Sequence, residues 1–405
     1  MKFNISGHIT VAPIVLVRVI SAFSSLILSY AALRVLNPAD FGTFTFSISF
    51  VTFLSVFLRF GLDRYLLKII LNRKYFDHSK LVLLKILTTW FFVQLFLLPV
   101  AFFALYQFSF FALVAGYKSE LLAMASSFSM VLVLADFFRA KISVALGLFL
   151  SGVILPATTL LYILLVSNPI LGDVFNVYIA MACLTVALGI PIGLIITPRK
   201  VLGRVKVSIA WSELCNLFLH AVGSVGMVHI PILALGLLGS PEDIAWFQKC
   251  FLLSMVIGAL TLVMTSIYEP KFARAVGGMG NIDSKEVFES SLNLSLVMIT
   301  CGITAAFVIF YNDIYIEFYS EDIWVCFCLG LGHCINLLAS RYQCYFMMAK
   351  NSVIRNVSLS TLLVLLLGIL VLFPRYGVLG VAMAYLVSVL FKLSVYSHTY
   401  RDNSV

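Results

Sequence analysis

Charge is what this sequence has least of. Of its 405 residues only 11% are Asp, Glu, Lys or Arg, while 62% are hydrophobic; soluble domains carry roughly 25% charged residues. A chain of this length folded in water leaves too much surface to hide so many apolar side chains. A soluble enzyme or binding module is therefore excluded, and lipid is the expected solvent. No Cys-x-x-Cys pair occurs. The eight cysteines (Cys183, Cys215, Cys250, Cys301, Cys326, Cys328, Cys334 and Cys344) mostly lie inside apolar runs and read as small buried residues, not as metal or redox ligands. The polar start, Met1 to Val11, lacks the small-residue cleavage site of a secretory signal, so the first apolar run is expected to be retained. A net charge of +9 would suggest nucleic acid in a soluble protein. Here its placement has another reading, and no nucleic-acid partner is expected.

What is present is a series of apolar runs of spanning length. A membrane helix needs roughly 20 mostly apolar residues, and twelve such runs can be marked. They lie at 11–34, 41–61, 81–106, 119–138, 142–166, 176–197, 211–238, 246–268, 288–311, 324–346, 353–373 and 377–397. The fourth has the least defined start, because Phe108 to Ala115 is also apolar and suits a bent or re-entrant segment. The connecting segments alternate in charge. Loop 62–80 holds Arg64, Lys68, Arg73, Lys74 and Lys80; turn 139–141 holds Arg139 and Lys141. Loop 198–210 holds Arg199, Lys200, Arg204 and Lys206; loop 269–287 holds Lys271, Arg274 and Lys285; Lys350 follows the tenth run. The alternate segments hold only Lys118 and Arg375 as cations, and two of them are acidic (Glu242 and Asp243; Asp313, Glu317, Glu321 and Asp322). Cationic loops stay on the cytoplasmic side, which places both termini there. Trp211, Trp246 and Trp324 open runs, as interfacial anchors do, and no extramembrane domain is expected.

The chain also reads as a duplication. Leu36-Asn37-Pro38-Ala39-Asp40-Phe41-Gly42 joins the first two runs, and 203 residues later Gly239-Ser240-Pro241-Glu242-Asp243-Ile244-Ala245 joins the seventh and eighth. Both place proline and an acid just before a helix, where each is suited. A similar offset sets Gly172-Asp173 opposite Tyr376-Gly377. Six runs return the chain to its starting side, so the expected halves, 1–200 and 201–405, are parallel repeats with a substrate path between them.

Polar residues at helical spacing mark either helix packing or that path. Arg18, Ser21, Ser25 and Ser29 share one face of the first run. Arg18 lies roughly 10 Å deep by helical rise, and its guanidinium must snorkel, pair or face water. Ser49, Thr52, Ser55 and Arg59 mark the second run, with Arg59 near the cytoplasmic edge. The seventh carries Ser212, Asn216, His220 and Ser224, and the tenth His333, Asn336, Ser340 and Gln343. Neither histidine has a second ligand four residues away, so neither marks a metal site. Gly223, Gly226 and Pro231 suit a seventh helix that bends during transport. Ser254, Gly258, Thr261 and Thr265 of the eighth read as packing residues. No carboxylate falls at the centre of a run, and Asp136 sits three residues from Arg139 near an edge. A path of arginine, neutral histidines and hydroxyls suits an anionic, hydroxyl-rich cargo.

The arginine-bearing first run, the Leu36–Gly42 turn, Gly61-Leu62 before a basic loop, and Tyr376-Gly377-Val378-Leu379-Gly380-Val381-Ala382 before the last run resemble the polysaccharide-repeat flippases. These are O-antigen translocases of the Wzx type, within the multidrug/oligosaccharidyl-lipid/polysaccharide exporter superfamily. The resemblance implies an all-α integral membrane fold of two parallel six-helix bundles in a V, MATE-like. It implies a bacterial inner-membrane protein that passes undecaprenyl-pyrophosphate-linked oligosaccharide to the periplasmic leaflet by alternating access. No catalytic residue, metal or cofactor is implied; membrane lipids, a polysaccharide polymerase and a chain-length regulator are the implied partners. The pyrophosphate would need cations, with Arg18 first and Arg59, Lys249 or Arg341 next. Two alternatives remain. A drug or small-molecule exporter shares the layout, and an O-antigen polymerase shares the length but needs arginines on a large outward loop, which is missing here.

Overall fold

A computed structural model describes residues 11–71, 78–107, 109–166, 169–197, 209–276, 284–312, 320–349 and 351–403. The start Met1–Thr10, the loop cations Arg73, Lys74, Arg199, Lys200, Arg204, Lys206 and Lys350, and the acids Asp313 and Glu317 lie outside the described residues. The described chain is helical throughout. Its first half contains α1 (Val11–Val35), α2 (Pro38–Arg59), α3 (Leu62–Leu71), α4 (Ser79–Gln107), α5 (Lys118–Lys141), α6 (Val144–Gly152), α7 (Ile154–Leu165) and α8 (Leu171–Ile196). The second contains α9 (Trp211–Leu238), α10 (Pro241–Val276), α11 (Ser284–Asn312), α12 (Ser320–Ala349) and α13 (Asn351–Asn403).

Among the described residues, eleven helical segments are long and apolar enough to cross a membrane. The last, α13, makes two crossings: it reverses at Gly377 (φ 54°, ψ −131°), three residues after Pro374. A left-handed φ is tolerated by glycine because it lacks Cβ. The arms then run back to back, with Gly368 facing Ala384 and Gly380 facing the Leu372 backbone. Twelve crossings result. The outward surfaces are apolar, as with Phe96, Leu165 and Ile195, each at least 70% exposed, which only an apolar solvent accommodates. The chain is a multi-pass membrane protein.

One segment that the sequence left open is defined by the structure, and two others depart from the sequence expectation. The stretch before the fourth crossing is a short 3₁₀ helix, Ser109–Tyr117, leading directly into α5. The fifth crossing is broken into α6 and α7 at Val153. Pro156 lies four residues after Gly152 and cannot bond its carbonyl, so the helix restarts. The basic loop after the second crossing begins as a helix, α3. Leu62, Leu66 and Ile70 are fully buried, Tyr65 nearly so, and Arg64 is exposed. This i, i+3, i+4 pattern is an amphipathic face, and it packs on α4, α5 and α9.

The two turns set 203 residues apart fold alike. In the first, the Asn37 side chain accepts from the Asp40 backbone N–H at 2.8 Å and donates to the Asp40 carboxylate at 2.7 Å. In the second, the Asp243 carboxylate accepts from the Ser240 N–H at 2.8 Å, and the Ser240 hydroxyl accepts from the Asp243 N–H at 3.2 Å. Each is a helix N-cap that satisfies an otherwise orphaned donor. The helix neighbours repeat too. α1 packs on α10 and α2 on α9, while α2 and α10 meet each other. Within the halves, α2 on α5 is matched by α10 on α12, and α5 on α8 by α12 on α13.

Small residues permit the closest approaches between the halves. A Cβ on Gly42 would lie 1.9 Å from the Pro241 carbonyl oxygen, and one on Gly236 would meet the Phe46 ring at 2.2 Å. At the other end Phe60 (φ 48°) and Gly61 (φ 76°) turn the chain out of α2. Gly61 there sits 2.9 Å, measured from an added Cβ, from the Phe218 nitrogen. The Phe60 ring stacks on Phe218 at 4.4 Å. The glycines of α9 also serve approach: the helix continues unbroken through Gly223 and Gly226, which seat Ser358 and Leu362 of α13. Gly42→Ala should therefore lower thermal stability in detergent by about 1–3 kcal/mol, the usual cost of overpacking. An unchanged melting temperature would contradict the contact.

Candidate functional site

Charge within the bundle falls into two kinds. The first is paired. The carboxylates of Asp63, Asp136 and Asp322 are buried, and each meets a cation: Arg59 Nε to Asp63 Oδ2 at 3.2 Å, Arg139 Nη1 to Asp136 Oδ1 at 2.6 Å, and Lys249 Nζ to Asp322 Oδ2 at 3.4 Å. Pairing is what burial of a charge demands. Trp246 Nε1 also donates to Asp322 Oδ1, so this tryptophan is tied inward, whereas Trp211 and Trp324 are well exposed. Two expected cargo cations, Arg59 and Lys249, thus stand in ion pairs, because the fold brings a carboxylate to each.

The second kind is held by neutral groups. Lys392, on the return arm of α13, donates to Asn336 Oδ1 at 2.9 Å and Gln343 Oε1 at 3.4 Å, both on α12. Arg355, on the first arm, donates through Nη1 to Asn216 Oδ1 at 2.5 Å and through Nε and Nη2 to Asn356 Oδ1 at 3.0 and 2.9 Å. Among the described residues neither cation has a carboxylate within ion-pairing distance. Between them His220 Nδ1 lies 3.0 Å from the Ser358 hydroxyl. Lys392, Arg355, His220, Asn216, Asn336 and Gln343 are all half-buried.

Sequence reasoning named Asn216, His220 and Asn336 and missed Lys392, Arg355 and Ser358. A lysine fifteen residues beyond Gly377, inside an apolar run, was the available signal. The other expected residues lie elsewhere. His333 is buried, packed on Gly258 and between the rings of Phe251 and Tyr385, each 5.4 Å away. Its Nδ1 is 3.4 Å from the Tyr385 hydroxyl. This is a packing position: the crowding that Gly258 permits closes the ring off. Arg341 lies over Phe288 and Tyr342 at 4.6 and 4.8 Å, in an aromatic cluster with Tyr396 and Tyr400. Arg18 is half-buried one turn before Ser21, whose hydroxyl occupies the notch at Gly152 of α6. Ser25 is exposed. No cluster of three or more metal-ligating side chains occurs among the described residues.

The pairing assignment has a direct test. Asp322→Asn takes the carboxylate from the buried Lys249 ion pair and should cost about 3–5 kcal/mol of stability. Asp322→Asn with Lys249→Met should regain most of it in thermal unfolding. A double variant no more stable than the single would refute the pairing as the structural role of Lys249.

No protein-family profile matches the chain, and no curated protein sequence does. Solved structures match nearly end to end. The MATE multidrug transporter DinF-BH, solved with a ligand bound, superposes with a TM-score of 0.67 at 14% identity, covering 97% of this chain and 94% of that one. An outward-facing multidrug-resistance MATE transporter of the MOP superfamily gives 0.65 at 14% identity, over 97% and 94%. A mutant of the Vibrio cholerae MATE transporter VcmN gives 0.62 at 15%, over 97% and 96%. At such identities the likeness is one of fold, and the fold of this all-α membrane protein is that of the MATE transporters.

Proposed function

We propose that this protein is a flippase that moves a lipid-linked oligosaccharide with an anionic pyrophosphate head from the cytoplasmic to the periplasmic leaflet of a bacterial inner membrane. The two halves, 1–200 and 201–405, rock about the contacts of α1, α2, α9 and α10, with both termini cytoplasmic. The observation that carries this reading is the charge inventory. Every buried carboxylate described is already neutralised by a cation, while half-buried Lys392 and Arg355 are held only by amides. A path so arranged offers net positive charge to its cargo, and anions are what it favours. Amides and hydroxyls around the cations suit sugar hydroxyls. A polysaccharide polymerase and a chain-length regulator are the enzymes that would act on the delivered unit.

The second reading is export of small molecules, favoured by the multidrug transporters that share the fold. A cationic drug needs an unpaired carboxylate in the path, so this reading fits anionic or neutral compounds better. Deletion in the host separates the two. The flippase reading expects surface polysaccharide to vanish while lipid-linked repeat units accumulate inside. Normal surface polysaccharide together with new drug sensitivity would establish export instead. Single repeat units capped onto lipid A at the surface would indicate a polymerase. In the first case Arg18→Ala, which removes the cation of the first half of α1, should reduce surface polysaccharide as deletion does; a wild-type level would remove Arg18 from the path.

A further inference from the structure

We infer that Lys392, Arg355 and His220 form a two-centre diphosphate site within the C-terminal half, distinct from Arg18. The site takes its lipid identity from the flippase reading; its anion chemistry stands without it.

Four observations converge. Lys392 and Arg355 each donate to uncharged amide oxygens, which orient a cation without cancelling its charge. Both are half-buried, shielded enough to strengthen electrostatics yet open to a ligand. The two belong to one wall. Ser358 stands one turn from Arg355 on the first arm of α13 and meets His220, while Tyr396, one turn from Lys392 on the return arm, shares an apolar cluster with Ile354 and Val357 of the first arm. The wall adjoins the other half, because Gly61 lies against the backbone of Leu214 and Phe218 on α9, the helix that carries Asn216 and His220.

Spacing selects the ligand. The arms of α13 are antiparallel, so the levels of Arg355 and Lys392 are separated by about 10 Å of helical rise. His220 and Ser358 stand between them. One phosphoryl group bonds one cation at about 2.7–2.9 Å and leaves the other unanswered. Two linked phosphoryl groups supply oxygens at both ends, with the imidazole and hydroxyl bonding between. Arg355 offers a planar fork and Lys392 a point charge, so the two ends are unlike. A diphosphate ester is unlike at its ends in the same sense, with one phosphoryl carrying the organic group.

The test uses the full-length protein in neutral-lipid nanodiscs, with farnesyl diphosphate as probe and farnesyl monophosphate, inorganic pyrophosphate and farnesol as comparisons. Lys392→Gln and Arg355→Gln should each weaken farnesyl diphosphate binding at least about tenfold, the worth of a charged hydrogen bond. Lys392→Arg should restore most of it. The monophosphate should bind about tenfold more weakly than the diphosphate, one charged hydrogen bond being lost, and farnesol should not compete. Inorganic pyrophosphate binding as tightly as the lipid form would support the anion site while assigning it to a free anion. Unchanged affinity in both glutamine variants, with unchanged melting temperature, would overturn the site, as would loss on Arg18→Ala alone. Binding lost in these variants, in a protein whose deletion leaves surface polysaccharide intact, would remove the flippase reading and keep the site.

Discussion

A charge carried into a bundle surrounded by lipid must be answered by another polar group, and how it is answered sorts the interior of this protein. Where the partner is a carboxylate, as at Arg59–Asp63, Arg139–Asp136 and Lys249–Asp322, the charge is consumed and the pair serves architecture. Where the partner is an amide, as at Lys392 and Arg355, the charge survives. The same requirement shapes the helix ends. The two capped turns, Asn37–Asp40 and Ser240–Asp243, complete backbone donors that a helix start leaves without an internal partner.

The path from residues to fold is mostly short-range, and for that reason much of it was legible. Hydropathy marks a crossing whatever its neighbours are. Loop charge reads without tertiary information, and the 203-residue offset between the two caps lies in the chain itself. The departures are equally local once their causes are known. Pro156 breaks the fifth crossing at Gly152, and the alternation of Leu62, Tyr65, Leu66 and Ile70 turned a basic loop into an amphipathic helix. Reading only the cations of that loop concealed its apolar face.

The site was less legible, because the partner of a charge is a tertiary fact. His220 and His333 look alike along the chain, each on a polar stripe near the middle of a helix. The difference comes from elsewhere: Ser358 of α13 meets His220, whereas Gly258 lets α10 close over His333. Arg59 and Lys249 looked free because Asp63 sits just past a helix end and Asp322 is 73 residues away. Lys392 was visible throughout and passed over, since a single cation in an apolar run has no pattern to announce it.

The pseudo-symmetric frame carries an unsymmetrical load. Arg59 and Arg139 of the first half are bound to acids, while Lys392 and Arg355, held by amides, belong to one wall of the second. Between the halves lie mainly rings and backbone, such as Phe60 on Phe218 and Gly42 against Pro241. Among the described residues the polar exceptions include the Ala210 N–H donating to the Tyr65 hydroxyl at 2.7 Å and a surface ion pair, Lys68–Glu213, of the weak exposed sort. On the proposed reading, parting this seam would carry little electrostatic cost, and an anion lodged on the second wall would keep its grip while the first swings away.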